Sequence, residues 1–290
     1  MEAEKQIQEM LKRNLITEND DCSFNSPLFL VKKKDGTSRA VVDLRKVNAL
    51  IKPLTVTLPK IDEILQAITL NKPTVMTSAD LFKGYYQVRC NPETSHITAF
   101  SSPLTGVSYK SLVCPMGLSI SSGAFVYVLN KVFQDRAKFY FLFLYVDDLI
   151  CVSKDISEHI EHLKILFETL RANSLVINPT KTSVAYSQLD FLGHTITKDG
   201  IKISESKIKA IKNIQPPRNR KTLQRLYGLL QFFRKNMYNF AERTKNMRHL
   251  LKQDSKFDWT EACDAELNDV KEALISNPIL TPLQPTKQYH

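Results

Sequence analysis

FYFLFLYVDDLICV (residues 139–152) is the stretch on which the reading of this chain turns. Apolar runs flank Asp147-Asp148, Phe139 to Val146 on one side and Leu149 to Val152 on the other, and each would by itself make a buried strand. The pair therefore sits at the tip of a hairpin of two buried strands. Two carboxylates held there repel each other and lose solvation, and a cation relieves both penalties. Mg²⁺ is the natural choice, a hard ion that takes carboxylate oxygens and shares itself with phosphate. The plainer alternative is an exposed turn, where Asp is common. That explains one aspartate more readily than two beside an aromatic-rich flank. The dipeptide alone carries little, because the chain has sixteen aspartates and a second adjacent pair, Asp20-Asp21, in a polar loop. A paired-metal site needs a third carboxylate. Asp80 ends the strand-like run from Val75, although a turn former or helix cap would look the same.

Outward from this hairpin, strands and helices mix. Leu28-Phe29-Leu30-Val31 and Ala40-Val41-Val42 read as a β-hairpin about Lys34-Asp35-Gly36-Thr37, Asp-Gly being the strong turn signal. Pro59 opens an amphipathic helix with Ile61, Ile64, Leu65 and Ile68 at helical spacing. Residues 74–80 and 85–90 look like strands around a Gly84 turn. Residues 117–135 contain a helix marked by Phe125, Val128, Leu129 and Val132. Ser157 reads as the N-cap of another, with Ile160, Leu163, Phe167 and Leu170 inward. His159 and His162 on that helix lack an acidic partner that would suggest a metal, which predicts a surface position. Residues 191–203 form a further hairpin turning at Asp199-Gly200, after which strand signals stop. A basic helix over 204–214 is halted by Pro216-Pro217. A longer one over 222–237 carries Leu223, Leu226, Tyr227, Leu230 and Phe233 on one face. Near residue 256, Phe257-Asp258-Trp259 precedes a short acidic helix and a tail punctuated by Pro278, Pro282 and Pro285.

Composition bounds what such a chain can be. At 290 residues, 43% hydrophobic and 24% charged, it suits one large or two ordinary folding units. The longest apolar run, residues 139–146, falls far short of the roughly 20 residues a membrane span needs. The polar, acidic opening MEAEKQIQEM is no signal peptide. Five scattered cysteines offer neither zinc spacing nor a disulfide framework, which leads to the expectation of a reducing, intracellular setting. Charge is more telling once located. Residues 200–258 hold fifteen basic and four acidic side chains, +11, whereas the whole chain is +10, so the remainder is nearly neutral. Such a block is the footprint of a polyanion partner, most often nucleic acid, or else a solubilising helical face.

The order of segments says more than any one of them. SPLFLVKKKDGTSRAVVDLRKVN (26–48), SADLFKGYYQV (78–88), CPMGLSISSGAF (114–125), YVDD (145–148), INPTK (177–181) and FLGHTIT (191–197) together resemble a reverse transcriptase, and most closely those of gypsy-type LTR retrotransposons. FDWTEACDAELNDVKEAL (257–274) is similar to the tether that in this family leads into RNase H. The resemblance implies an α+β right-hand polymerase with a ferredoxin-like palm. Fingers would occupy 1–58 and 89–118, palm 59–88 and 119–199, thumb 200–255, and 256–290 would start a connection. Asp80, Asp147 and Asp148 would bind two Mg²⁺ ions, with Mn²⁺ as substitute and Asp148 the less direct ligand. Such a pair activates the primer 3′-hydroxyl and neutralises the triphosphate. Lys181 matches a proposed general acid for pyrophosphate, against the alternative of a solvated lysine.

By the same resemblance, Lys33 and Arg39 would grip the dNTP triphosphate, as a point charge and a guanidinium fork can. Tyr85 matches the steric gate against a ribose 2′-hydroxyl. Met116 and Gly117 match the loop beneath the templating base, but Met116 replaces the usual Phe or Gln. Ser121-Ser122-Gly123 likewise replaces a more usual Ala-Pro, so altered template contact or fidelity is expected. Asp43, Arg45 and Tyr145 would flank the template–primer, and Phe191, Leu192 and Gly193 would hold the primer end. His194 is given no acid–base part. Thumb residues such as Arg225, Arg234 and Lys235 would grip phosphates without sequence preference. The chain would then be a segment of a polyprotein that also carries RNase H and integrase. It would work on RNA and DNA template–primers in the cytoplasm inside virus-like particles, or in the nucleus, with no membrane partner. The rival readings are a catalytically idle, domesticated nucleic-acid-binding remnant and an RNA-templated RNA polymerase.

Overall fold

The computed structural model describes residues 2–21, 23–32 and 36–276. Helix α1 (Glu2–Lys12) starts with Glu2 and Glu4 in its first turn, where the helix dipole favours negative charge. Strand β1 (Ile16–Glu18) precedes the expected hairpin, β2 (Leu28–Lys32) and β3 (Ser38–Val42), paired antiparallel with Val31 opposite Arg39. Gly36 of its turn has φ +81°, while Lys33, Lys34 and Asp35 lie outside the described residues. A single helical turn α2 (Arg45–Asn48) is followed by α3 (Ile61–Leu70), which buries Ile64, Leu65 and Ile68 as its spacing requires. Strand β4 (Val75–Asp80) then ends at the candidate third carboxylate.

Beyond β4 the expected second strand does not form. Residues Gly84–Gln87 make a 3₁₀ turn, entered through Lys83 in the left-handed region (φ +49°). Gly84 lies against the fully buried Phe125 ring, and a Cβ there would stand 2.7 Å from it. Strands β5 (Phe100–Ser101) and β6 (Ser108–Ser111) join β1 in an antiparallel sheet of order β1-β6-β5. Helix α4 (Ser121–Val132) buries Phe125 and Leu129. The VDD hairpin follows as β7 (Leu142–Tyr145) and β8 (Asp148–Ser153), then α5 (Ile156–Ala172) and β9 (Ser183–Tyr186). Strands β4, β7, β8 and β9 form one sheet in the order β7-β8-β4-β9. With the chain order β4-α4-β7-β8-α5-β9, this is the ferredoxin-like arrangement.

Helix α5 corrects two expectations. Its cap is Asp155, whose carboxylate accepts the Glu158 N–H at 2.9 Å, so the helix begins one residue before Ser157. Its inward face carries His159, His162, Leu166 and Leu170, while Ile160 and Phe167 are exposed. The histidines are therefore core residues and not surface ones. His159 lies between the Thr77 and Ser153 hydroxyls at 2.7 and 2.8 Å. His162 stacks on Phe141 with ring centroids 3.8 Å apart and bonds the Tyr140 hydroxyl at 3.0 Å. A histidine so satisfied is buried without penalty, and the helix turns that face inward.

Downstream, β10 (Leu189–Phe191), β11 (His194–Thr197) and β12 (Gly200–Ile203) form an antiparallel sheet, and among the described residues only helices follow: α6 (Glu205–Lys212), α7 (Arg220–Phe232), α8 (Phe240–Arg243), α9 (Lys245–His249) and α10 (Glu261–Ile275). Helix α7 begins two residues earlier than its apolar pattern suggests, because Asn219 and Thr222 form a reciprocal capping box.

The chain divides into two compact units: residues up to Lys60 with Ser78–Cys151 and Ile160–Ser183, and Ile61–Thr77 with Val152–His159 and everything from Val184. The first has a core of Leu81, Phe125, Leu129, Phe133, Phe141 and their neighbours, plus a smaller cluster around Ile7, Ile16, Phe100 and Tyr109. The second packs Leu223, Leu230, Phe233 and Met247 against Leu267, Val270 and Leu274, so the acidic helix α10 shares the core of the basic helices.

His194 supplies a pH prediction for the second unit. It is buried beside Phe232 and Phe233, with Nδ1 3.2 Å from the Leu192 carbonyl. Burial lowers its pKa, only partly offset by that carbonyl and by the Asp62 charge. The unfolded chain then takes up a proton from about pH 6.5 downward that the folded chain refuses. Stability is accordingly full above that pH and falls as pH drops through it. Thermal unfolding at pH 8 and pH 5.5 should show a smaller difference for His194→Asn than for the wild type; an equal difference would mean that His194 is not a source of it.

Candidate active site

In the β7–β8 register Tyr145 faces Asp148, leaving Val146 and Asp147 to make the turn. Val146 has φ +57°, a left-handed conformation that costs a β-branched residue about 1–3 kcal/mol. The strands that hold it there are firmly anchored: Leu142, Leu149, Ile150 and Cys151 are all buried. Three segments distant in the chain meet at this turn. The Leu81 N–H, next to Asp80, donates to the Asp147 carbonyl at 3.4 Å. The Asp80 carbonyl accepts the Asn178 N–H at 2.7 Å, and Asn178 caps the short turn Pro179–Lys181. Lys181 Nζ then stands 3.1 Å from Asp80 Oδ2.

The electrostatics follow from that meeting. Asp148 starts β8 at its solvent-facing end, yet crowding by protein atoms raises its pKa, as do next the charges of Asp147 and then Asp80, with Lys181 opposing. Lys181 pairs with Asp80, and the charges of Asp147 and Asp148 add a local negative excess of the kind a divalent cation neutralises. Among the described residues no three His, Cys, Asp or Glu side chains are gathered closely enough to enclose an ion by themselves. The donor chemistry, hard carboxylate oxygens in surplus over positive charge, nevertheless fits Mg²⁺ or Mn²⁺.

Two carboxamides hold the surrounding backbone. Gln87, to which the sequence assigns nothing, donates to the carbonyls of Phe82 (2.6 Å) and Val176 (2.9 Å) and accepts the Val176 N–H (2.8 Å). It ties the chain leaving Asp80 to the segment leading to Lys181. Asn48 donates to the Gly117 carbonyl (2.9 Å) and accepts the Ser119 N–H (2.7 Å). Gly117 has φ +94°, which explains the glycine independently of any template.

Arg39 points its Nη1 at the Met116 sulfur, 3.9 Å away. Both line a cavity of about 170 Å³ together with Tyr86 and Gly117. Tyr85 does not line that cavity; its ring stands edge-on to Phe125, with centroids 5.8 Å apart. Asp43 and Arg45 form a forked ion pair with one contact at 2.6 Å, which holds the Asp43 carboxyl down at about 2. Lys33 falls outside the described residues.

In the second unit, Leu192 (φ +50°) and Gly193 (φ +79°) form the two-residue turn between β10 and β11, both positive as a type I′ turn requires. Phe191 is buried, so its side chain is a core residue. Arg225 and Arg234 are exposed. Part of the basic block is already committed within the fold. Lys235 pairs with Asp62 and Arg243 with Asp269, both at 2.6 Å, and Arg220 donates to the carbonyls of Leu250, Gln253 and Ser255.

A ferredoxin-like sheet with one acidic strand end beside an acidic hairpin tip is the arrangement expected of a right-hand polymerase palm. Residues 31–196, more than half of the chain, match the family described as reverse transcriptase (RNA-dependent DNA polymerase), and the chain belongs to that family. It is 32% identical over 276 residues to the transposon Tf2-3 and Tf2-7 polyproteins of Schizosaccharomyces pombe. Those matches cover 95% of this chain but 20% of each relative, so the chain spans about one fifth of their length. Among solved structures it resembles a foamy viral protease-reverse transcriptase in complex with double-stranded DNA, with TM-score 0.87, 24% identity, and coverage of 97% of this chain and 49% of that one. A foamy viral protease-reverse transcriptase in complex with an RNA/DNA hybrid gives TM-score 0.81 and 24% identity over 97% of this chain and 38% of that one.

Proposed function

We propose that this chain is the polymerase segment of a retrotransposon polyprotein and extends a primer with dNTPs on RNA or DNA templates. The observation that carries this reading is the meeting of Asp80, the Asp147-Asp148 tip and Lys181 through the Leu81–Asp147 bond and the Lys181–Asp80 ion pair. Asp80 and Asp147 would hold two divalent cations, Mg²⁺ or Mn²⁺, with Asp148 contributing mainly charge. When bound, such ions supply activation of the primer hydroxyl and neutralisation of the triphosphate. Lys181, oriented by Asp80, would deliver a proton toward the departing pyrophosphate. Arg39 and Lys33 would bind the triphosphate, and Met116 and Gly117 would support the base pair. Tyr145, Asp43 and Arg45 would border the template–primer.

Residues 1–58 and 89–118 would serve as fingers, 59–88 and 119–199 as palm, 200–255 as thumb and 256–290 as the start of a connection. The thumb's exposed cations, Arg225 and Arg234 among them, would bind phosphates, with Lys235 joining once Asp62 releases it; Leu192 and Gly193 would support the primer end. RNase H and integrase would belong to the same polyprotein, working in the cytoplasm within virus-like particles. Among the described residues no helix is long and apolar enough to cross a membrane.

The test is primer extension on poly-rA with oligo-dT and Mg²⁺, offering dTTP or UTP. Incorporation of dTTP and not UTP is expected. Binding without extension would leave only the nucleic-acid-binding reading, and equal use of UTP would point to an RNA polymerase.

A further inference from the structure

Among the described residues the hairpin that carries Arg39 is a sheet of two strands, so β3 has an edge with no strand beside it. Two-stranded hairpins are marginal by themselves, and an open edge leaves the strand free to roll. Here that edge is taken by one side chain from α1. Gln6 Oε1 accepts the Ala40 N–H at 2.8 Å, and Gln6 Nε2 donates to the Ser38 carbonyl at 2.9 Å. These are the bonds a neighbouring strand would make, and they grip the backbone on both sides of Arg39. The second amide hydrogen goes to Glu2 Oε1 at 2.9 Å, so the carboxamide has no rotational freedom left.

The helix behind Gln6 is fixed in turn. Ile7 is fully buried in the cluster with Ile16, Phe100 and Tyr109, and the Ser102 hydroxyl donates to Glu4 Oε2 at 2.7 Å. Gln6 and Arg39 also line one groove of about 350 Å³, shared with Lys83, Tyr86 and Met116 and large enough for a small ligand. We propose that Gln6 is a positioning residue of the nucleotide site: its carboxamide sets the backbone around Arg39 and hence where the guanidinium meets the triphosphate. This rests on the reading of Arg39 as a triphosphate ligand.

Steady-state dTTP incorporation on poly-rA/oligo-dT by the 290-residue chain tests it. Gln6→Ala should raise KM for dTTP roughly tenfold, since small misplacements of binding groups are costly, while kcat stays within about twofold. Gln6→Glu keeps the acceptor for Ala40 and loses the donor to Ser38, so it should give a smaller rise; it also carries the test if Gln6→Ala fails to fold. In an Arg39→Ala background, Gln6→Ala should add less than about twofold, because coupled residues are not additive. An unchanged KM in Gln6→Ala, or the same factor in both backgrounds, overturns the assignment. If Arg39→Ala itself leaves KM unmoved, the triphosphate reading of Arg39 falls first and the positioning role falls with it.

Discussion

Asp147→Asn is expected to cut primer extension by about a thousandfold or more while leaving the protein as stable as before or slightly more so. The substitution is nearly isosteric and removes only the charge. What ties the turn to the end of β4 is the backbone carbonyl of Asp147, accepting the Leu81 N–H, and that bond survives. Stability should not fall, because Asp147 is one of the charges that push the Asp148 pKa up. A carboxyl whose folded pKa is raised costs stability at every pH above its unfolded value. Removing a repelling neighbour reduces that cost at neutral pH. Loss of rate with an unchanged or higher Tm is therefore the signature of a group kept for chemistry, since a structural residue would lose both. Single-nucleotide extension, thermal unfolding and primer–template anisotropy on the same preparation separate the cases. Near-normal rates would remove the metal role of Asp147. A fall in Tm together with rate would make the residue structural.

Much of this site was legible because it was written in local pattern. Asp147-Asp148 between two apolar runs can only be a hairpin tip, and Asp-Gly at 35–36 and 199–200 marks turns whatever the fold. Asp80 at a strand end was ambiguous alone and acquired meaning from the order of segments around it. What escaped was set by tertiary partners. A 3₁₀ turn stands at Gly84–Gln87 where a strand is expected, and its glycine is required by the Phe125 ring, more than forty positions away. Helix α5 offers two faces of comparable apolarity, and hydroxyls on other elements select the one with His159 and His162. Gln6, Asn48 and Gln87 each clasp backbone distant in sequence. A carboxamide bonds any peptide group it meets, so its residue type says nothing of which one. Residues defined by charge are thus readable in sequence, and residues that hold them in place are not.

The assignment of the sugar gate is where those two kinds of information compete. Spacing from Asp80 favours Tyr85, whereas the cavity that holds Arg39, Met116 and Gly117 is lined by Tyr86. Tyr85 has a structural duty as well, its ring standing edge-on to Phe125 at an interplanar angle of 82°. Losing that contact costs about 0.5–1.5 kcal/mol, which lowers Tm. It cannot change the preference between two nucleotides, because both meet the same destabilised protein. The ratio of kcat/KM for dUTP to that for UTP, two nucleotides that differ only in the 2′-hydroxyl, is therefore insensitive to the packing role and reads the gate alone. Tyr85→Ala should lower this ratio by about a hundredfold, the discrimination a close-fitting pocket can exert on one added hydroxyl. Tyr85→Phe should leave it unchanged, since bulk rather than the phenol excludes the 2′-hydroxyl. Tyr86→Ala should weaken use of both nucleotides together, its ring being part of the wall near Arg39. If the ratio moves in Tyr86→Ala and not in Tyr85→Ala, the gate is Tyr86 and the spacing from Asp80 misleads. If it moves in neither, sugar selection lies elsewhere and Tyr85 is a palm core residue.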